Sequence, residues 1–323
     1  MKIPKIGKRQ ALKVICSVAF LFFLSLGSIS TVYAQDGVQA RLETHGPVTV
    51  STEDITVRVN PGPVPHFWYW STDGSQDDAY HVKFQHLIEY SDDNGDEMFA
   101  STETELGGAS FSLSSGKWEF SGLTTEDGDS LESGDTADSV KFSFTLVGPI
   151  RGKKNGNNGQ QGNLSTTKIA SENLVVVLTC HISADEGNKM KIDVYIENWN
   201  FVSEDNRLAV RTDFTTDNGT HTIEEGNDGY QIGDAFFAYE DSATADGQSV
   251  TVTANAEELE QATGLKVWFN YPSFTDTLDH DPTIGIGDLS AETGGLGGFC
   301  LGTIAIIVIP FAALFAVAVR RRH

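Results

Sequence analysis

Residues 80–90 read YHVKFQHLIEY, and their alternation sets the fold class. Tyr80, Val82, Phe84, His86, Ile88 and Tyr90 share one parity, while His81, Lys83, Gln85 and Glu89 share the other. Successive side chains of a strand point to opposite sides, so this stretch predicts a half-buried β-strand. The same period recurs at Val140, Phe142, Phe144 and Leu146, at Leu174, Val176, Leu178, Cys180 and Ile182, and at Met190, Ile192, Val194 and Ile196. Leu208, Val210, Thr212 and Phe214 continue it, followed by Val250 and Val252, then Val267, Phe269 and Tyr271. Shorter strands are expected at 48–50, 55–59, 67–70, 118–120 and 236–239. About a dozen strands between Gly, Asn and Asp turns predict an all-β fold, a large antiparallel sandwich spanning residues 35–274. Only residues 256–262 (AEELEQA) read as helical. The segment 148–168, rich in Gly, Asn and Gln, is either a linker between two subdomains or a surface loop of one sandwich.

The chain has 323 residues and a formal charge of −23, from 45 acids and 22 bases. Eight of the bases lie in residues 1–34 and 298–323, which hold no acid, so residues 35–297 carry 14 bases against all 45 acids, a balance of −31. Phosphate binding needs clustered Lys and Arg, which excludes nucleic acid as a partner. The basic start, the apolar run VICSVAFLFFLSL (residues 14–26) and Val32-Tyr33-Ala34 form a three-part secretory signal with cleavage after Ala34. Residues 299–319 are 21 uncharged positions, enough for a membrane-spanning helix, and Arg320, Arg321 and Arg322 place a short tail (320–323) on the cytoplasmic side. The reading is a single-pass protein of the cell membrane with its ectodomain outside, raised on an acidic, Gly-rich stalk at 275–298.

The ending Gly294-Gly295-Leu296-Gly297-Gly298, then an apolar helix, then an Arg cluster, resembles C-terminal sorting signals of archaeal and bacterial surface proteins. Some members of those families are cut there and transferred to a lipid. The succession Phe67-Trp68-Tyr69-Trp70, Glu89-Tyr90-x-Asp92, Asn94-Gly95-Asp96, Trp118-Glu119-Phe120-Ser121-Gly122 and Ile196-Glu197-Asn198-Trp199 resembles a group of secreted β-proteins with no assigned activity. That likeness implies the fold and carries no site residue. Cys16 and Cys300 fall in the terminal segments, so Cys180 alone belongs to the ectodomain, where its parity makes it a core filler.

Three features carry candidate chemistry. Asp92, Asn94 and Asp96, with Glu103 eleven residues after Asp92, match positions 1, 3, 5 and 12 of a calcium loop, whose oxygens converge on one hard cation. Position 6, glycine in such loops for the sharp turn, is Glu97, and the competing reading is a plain turn around Asn94-Gly95. Trp68 and Trp70 share one face of a short strand and Phe67 and Tyr69 the other, so one pair fills the core and the second is either covered or free to stack on a sugar ring. Asn163 and Asn218 begin glycosylation sequons. His81 and His86, five apart on one strand, should face opposite sides, with His86 in the core. Asp279-His280-Asp281 falls in the expected stalk. No nucleophile elbow, zinc-protease motif or phosphate loop occurs. These features leave a displayed module for adhesion, envelope structure or ligand capture. The alternatives are a surface carbohydrate-active enzyme using a carboxylate pair and a calcium-stabilised structural module.

Overall fold

The computed structural model describes residues 37–42, 47–60, 62–147, 151–154, 168–169, 173–219, 221–226, 228–260 and 262–289. The expected signal segment, membrane helix, cytoplasmic tail and Asn163 lie outside these residues. Among the described residues no helix is long and apolar enough to cross a membrane.

The chain opens with an antiparallel meander of β1 (Val38–Leu42), β2 (Val48–Ser51), β3 (Ile55–Asn60), β4 (His66–Ser71) and β5 (Tyr80–Ser91). β6 (Thr104–Ser112) folds back onto β5. β7 (Lys117–Phe120), β8 (Leu123–Thr124) and β9 (Ser130–Leu131) start a second sheet, β10 (Thr136–Ala137) pairs with β1, and β11 (Ser139–Val147) joins the second sheet. β12 (Arg151–Lys154) and β13 (Lys168–Ile169) extend the first sheet beside β6, and β14 (Val175–Ser183) and β15 (Lys189–Glu197) extend the second. β16 (Arg207–Thr216) returns to lie beside β5. β17 (Ile223–Gly226), β18 (Gly229–Ile232), β19 (Ala235–Ala238), β20 (Ser242–Ala245) and β21 (Gln248–Thr251) belong to the second sheet, and β22 (Thr253–Glu258) and β23 (Thr263–Tyr271) to the first. β24 (Thr277–His280) and β25 (Thr283–Ile286) complete the second sheet against β15.

All these pairings are antiparallel, and the two sheets face each other across one continuous apolar core. The alternation that predicts the strands also fills this core: Phe142, Phe144, Leu178, Cys180, Ile192 and Val194 of the second sheet meet Phe67, Phe84, Val210 and Phe214 of the first. Aromatic edges cross between the sheets, as Phe214 meets Phe237 at 5.9 Å and Phe237 meets Phe269 at 5.5 Å. The Tyr69 hydroxyl donates to the Phe236 carbonyl at 3.1 Å. Strands on both sides of residues 148–168 pair directly, β5 with β16 and β11 with β14, so the two halves share both sheets.

Three expectations change. In β5, Arg211 of β16 pairs with His86 but Thr212 pairs with Phe84, which leaves Gln85 as the extra residue of a β-bulge. Tyr80, Val82 and Phe84 therefore face the core, the parity then switches, and Leu87 takes the next core position. His86 is consequently on the outer face, half-buried, rather than in the core, and Ile88 and Tyr90 join a separate outer cluster with Phe99, Ala209 and Trp268. The bulge falls where β5 exchanges partners, β4 pairing up to Lys83 and β6 from His86. Residues 253–258 form an edge strand rather than a helix, because pairing with β23 and inward packing of Ala254 and Ala256 override local propensity. The sandwich also continues to Leu289, which packs on Phe236 and Ala238, so the stretch from 275 begins as sheet and not as stalk.

If Gln85 is a bulge insertion, deleting it restores simple alternation without moving any core residue to the wrong face. The deletion variant should retain cooperative thermal unfolding, losing about 1 kcal/mol or less with the Gln85–Asp213 hydrogen bond. Non-cooperative unfolding by circular dichroism would contradict the assignment.

Candidate functional site

The outer face of the second sheet carries a connected network of ionisable side chains. On β14 and β15 the even positions are buried, so His181, Lys191 and Asp193 must point outward. His181 pairs across the strands with Lys191, and Asp193 sits diagonally between them. The turn after β8 brings Glu126 to one side, and the β24–β25 turn brings Asp281 to the other. The result is a chain of alternating charge. Glu126 Oε1 lies 2.7 Å from His181 Nδ1, His181 Nε2 lies 3.0 Å from Asp193 Oδ2, Lys191 Nζ lies 3.4 Å from Asp193 Oδ1, and Lys191 Nζ lies 2.8 Å from Asp281 Oδ2. Lys141 extends it at 3.8 Å from Glu126.

The electrostatics follow from this order. Burial alone would lower the His181 imidazole, but hydrogen bonds and charge from Asp193 and Glu126 outweigh it and hold the pKa at about 9. Burial would likewise raise Asp193 and Glu126, yet both carboxyls stay below their ordinary values, through His181 in each case and Lys191 or Lys141 in turn. Asp279 behaves oppositely, since burial, then the charges of Asp281 and Asp193, push it up to about 6. Its Oδ1 is buried without a hydrogen-bond partner. A cavity of about 450 Å³ opens over the network, walled by Glu126, His181, Lys189, Lys191, Glu240 and Asp281. That volume lies within the usual range of small-ligand sites, roughly 300–1,000 Å³. A smaller depression of about 110 Å³ adjoins it, sharing Glu240 and Asp281 and reaching Asp279.

The residues singled out in the sequence lie elsewhere. Phe67 and Tyr69 fill the core, while Trp68 and Trp70 stand half-buried on the outer face of the first sheet. Trp68 is flanked edge-on by His81 at 4.9 Å and His66 at 5.3 Å, and its Nε1 is buried without a hydrogen-bond partner. His81 in turn accepts or donates at 3.2 Å with His66 and lies 3.1 Å from Asp217. The cavity and the tryptophans thus occupy opposite outer faces and cannot share one small ligand.

Between β5 and β6 the structure gathers Asp92, Asp96 and Glu103, each offering an oxygen within 4.8 Å of the others. Asn94 lies in the same turn, its Nδ2 donating to Asp96 Oδ2 and its Oδ1 accepting from the Asp96 N–H. Asn218 follows β16 in a turn and is half-buried, its N–H donating to Thr216 Oγ1. Cys180 is fully buried and free, and burial pushes its thiol well up.

Sequence reasoning missed Glu126, His181, Lys191, Asp193 and Asp281 as a group because four separate chain segments contribute. The available signal was their position opposite the core stripes of β14 and β15. His280, placed with its neighbours in the expected stalk, is instead buried and joined to the Tyr271 hydroxyl at 2.8 Å.

The sequence matches no protein-family model and no curated protein. Among solved structures it is similar to the crystal structure of heparan sulfate lyase HepC from Pedobacter heparinus, with a TM-score of 0.32 and 9% identity. The alignment covers 88% of this chain and 42% of that one, and at this level it assigns no function.

The raised His181 pKa makes a signed prediction. Its contribution is complete below the unfolded histidine value near 6.5 and is lost as pH rises through about 9. Between pH 7 and 10 the wild type should lose about 4–8 °C in Tm relative to His181→Gln, the response of a domain this size to ~2 kcal/mol. Parallel melting curves for the two proteins would contradict the clamp.

Proposed function

We propose that this chain is a cell-surface capture protein: a secreted, membrane-anchored β-sandwich that holds a small polyhydroxylated ligand, of the size of one or two sugar rings, in the cavity over His181 and Lys191. Support for display comes from the charge and hydropathy of residues 1–34 and 299–323. The single observation that carries the ligand class is the alternating acid–base chain along the cavity floor. His181 lies between Glu126 and Asp193, Lys191 lies between Asp193 and Asp281, and Lys189 lies 3.2 Å from Glu186. An anionic ligand would have to break one of these pairs to reach His181, Lys189 or Lys191. A hydroxyl donates and accepts at once, so adjacent hydroxyls can bond to neighbouring carboxylates and ammonium groups without disturbing the charge order.

Calorimetric titration of the purified full-length protein with neutral, N-acetylated and uronic mono- and disaccharides tests this. Neutral sugars should bind, uronic acids should bind more weakly, and Glu240→Gln should weaken neutral binding about tenfold, the effect of losing one charge-assisted hydrogen bond. No heat across the panel, or affinity unchanged in a Lys191→Ala/Glu240→Ala double variant, would contradict the reading. A second reading, cleavage of a glycosidic bond, is favoured by one observation: Asp279, raised to about 6, and Glu126, lowered, flank the same depression-and-cavity pair. Recovery of the bound sugar intact favours capture, and recovery of cleaved sugar whose release is lost in Asp279→Asn favours the enzyme.

A further inference from the structure

We infer that the loop between β5 and β6 binds one divalent cation of the calcium class through Asp92, Asp96 and Glu103, and that this ion fastens the loop over the outer face of the first sheet. The site is separate from the cavity, and the inference does not depend on ligand capture.

Calcium takes oxygen ligands at about 2.3–2.6 Å, so oxygens up to roughly 5 Å apart can share one ion. The three carboxylate oxygens lie within 4.8 Å of one another. A cluster of acids is common on a surface this acidic, but Glu103 is not a surface acid. It is only 9% exposed. Its Oε2 accepts the Ala100 N–H at 2.8 Å, while its Oε1 is buried with no hydrogen-bond partner. A buried carboxylate oxygen left unmatched, beside two further carboxylates, is costly, and a cation among the three removes both the vacancy in bonding and the like-charge repulsion.

The surrounding loop is held by its own turn hydrogen bonds. Asp92 accepts the N–H groups of Gly95 at 2.8 Å and Glu97 at 3.0 Å, and Asp96 Oδ1 accepts the Met98 N–H at 2.9 Å. Glu97, at the position where such loops carry glycine, adopts φ 63°. A non-glycine residue in this left-handed region costs about 1–2 kcal/mol, so the turn is kept at an energetic cost that its neighbours offset. The Glu97 carbonyl accepts from the Tyr90 hydroxyl at 3.2 Å and from Thr253 Oγ1 at 2.6 Å, and its carboxylate lies 3.5 Å from Arg207. Phe99 then inserts between Tyr90 at 5.3 Å and Trp268 at 6.0 Å, with its N–H donating to Asn270 Oδ1. The ion would therefore hold the entry of a segment whose end caps the outer aromatic cluster. Three carboxylates with water completing the shell correspond to the weaker calcium sites of extracellular modules, with Kd on the order of 10⁻⁴–10⁻³ M.

The test uses full-length protein stripped with chelator, then melted with 10 mM CaCl2, 10 mM MgCl2, or NaCl at matched ionic strength. CaCl2 should raise Tm by about 3–8 °C above the NaCl control, and MgCl2 by less than half as much. Glu103→Gln keeps the acceptor for the Ala100 N–H and should fold, but lose the calcium-specific rise. Asp96→Asn, at an exposed position, should lose most of it as well. A calcium rise equal in wild type and both variants would assign the effect to the acidic surface at large and overturn the site. An equal response to magnesium would overturn the calcium class, and no response in wild type would overturn the inference altogether.

Discussion

Burial of the two inner sheet faces against each other holds this protein together, since Cys180, the one cysteine among the described residues, is free and buried within that same core. Each large apolar side chain removed from water contributes about 1.5–3 kcal/mol, and the core draws such residues from both sheets. Register follows from this. A slip of one residue would turn Phe142, Phe144, Leu178 and Ile192 toward solvent, so the strands have one workable pairing. Once the inward positions are fixed, the outward ones are fixed too. His181, Lys191 and Asp193 meet because Cys180, Ile192 and Val194 must point the other way.

The outer face of the second sheet shows how an acidic body can concentrate positive charge. The segment 35–297 carries a balance of −31, and on this face Lys141, His181 and Lys191 are interleaved with Glu126, Asp193 and Asp281 in a single row. Such a row lowers self-repulsion locally and keeps donors and acceptors side by side at the mouth of a cavity. On the opposite face, the loop ending in Phe99 covers Tyr90, which the β5 bulge has turned outward, and Trp268, which faces outward by the regular alternation of β23. The bulge, the loop and the outer cluster are one structural solution: the parity switch creates an exposed patch, and the loop caps it.

Much of the scaffold was legible from periodicity. β14, β15, β16 and β23 appear at the stripes read from Leu174, Met190, Leu208 and Val267, and the short strands at 48–50, 55–59, 67–70, 118–120 and 236–239 all form. The bulge was not legible, because Tyr80 to Tyr90 alternates without interruption in sequence and only pairing with Arg211 and Thr212 shows the extra residue. Residues 256–262 misled because Glu, Leu and Ala favour helices locally, whereas the edge of β23 offered hydrogen bonds. Residues 275–289 misled because Asp and Gly resemble a linker, though Leu278 and Ile284 join the core and Leu289 packs on Phe236 and Ala238. For the sites, spacing singled out Asp92, Asn94, Asp96 and Glu103, and the fold places the carboxylates of Asp92, Asp96 and Glu103 side by side, with Glu97 where a calcium loop carries glycine. The cavity network was out of reach: its members lie in four segments that only the folded sheet assembles.

The state of His181 in the folded protein tests the central claim most directly. Every step from strand register to the charge order of the cavity floor converges on this imidazole, held between Glu126 and Asp193. An NMR titration of its ring resonances in the full-length protein should show an imidazolium that persists to about pH 9. Titration near the ordinary histidine value, about 6.5, would mean that the alternating row does not form and would contradict the account.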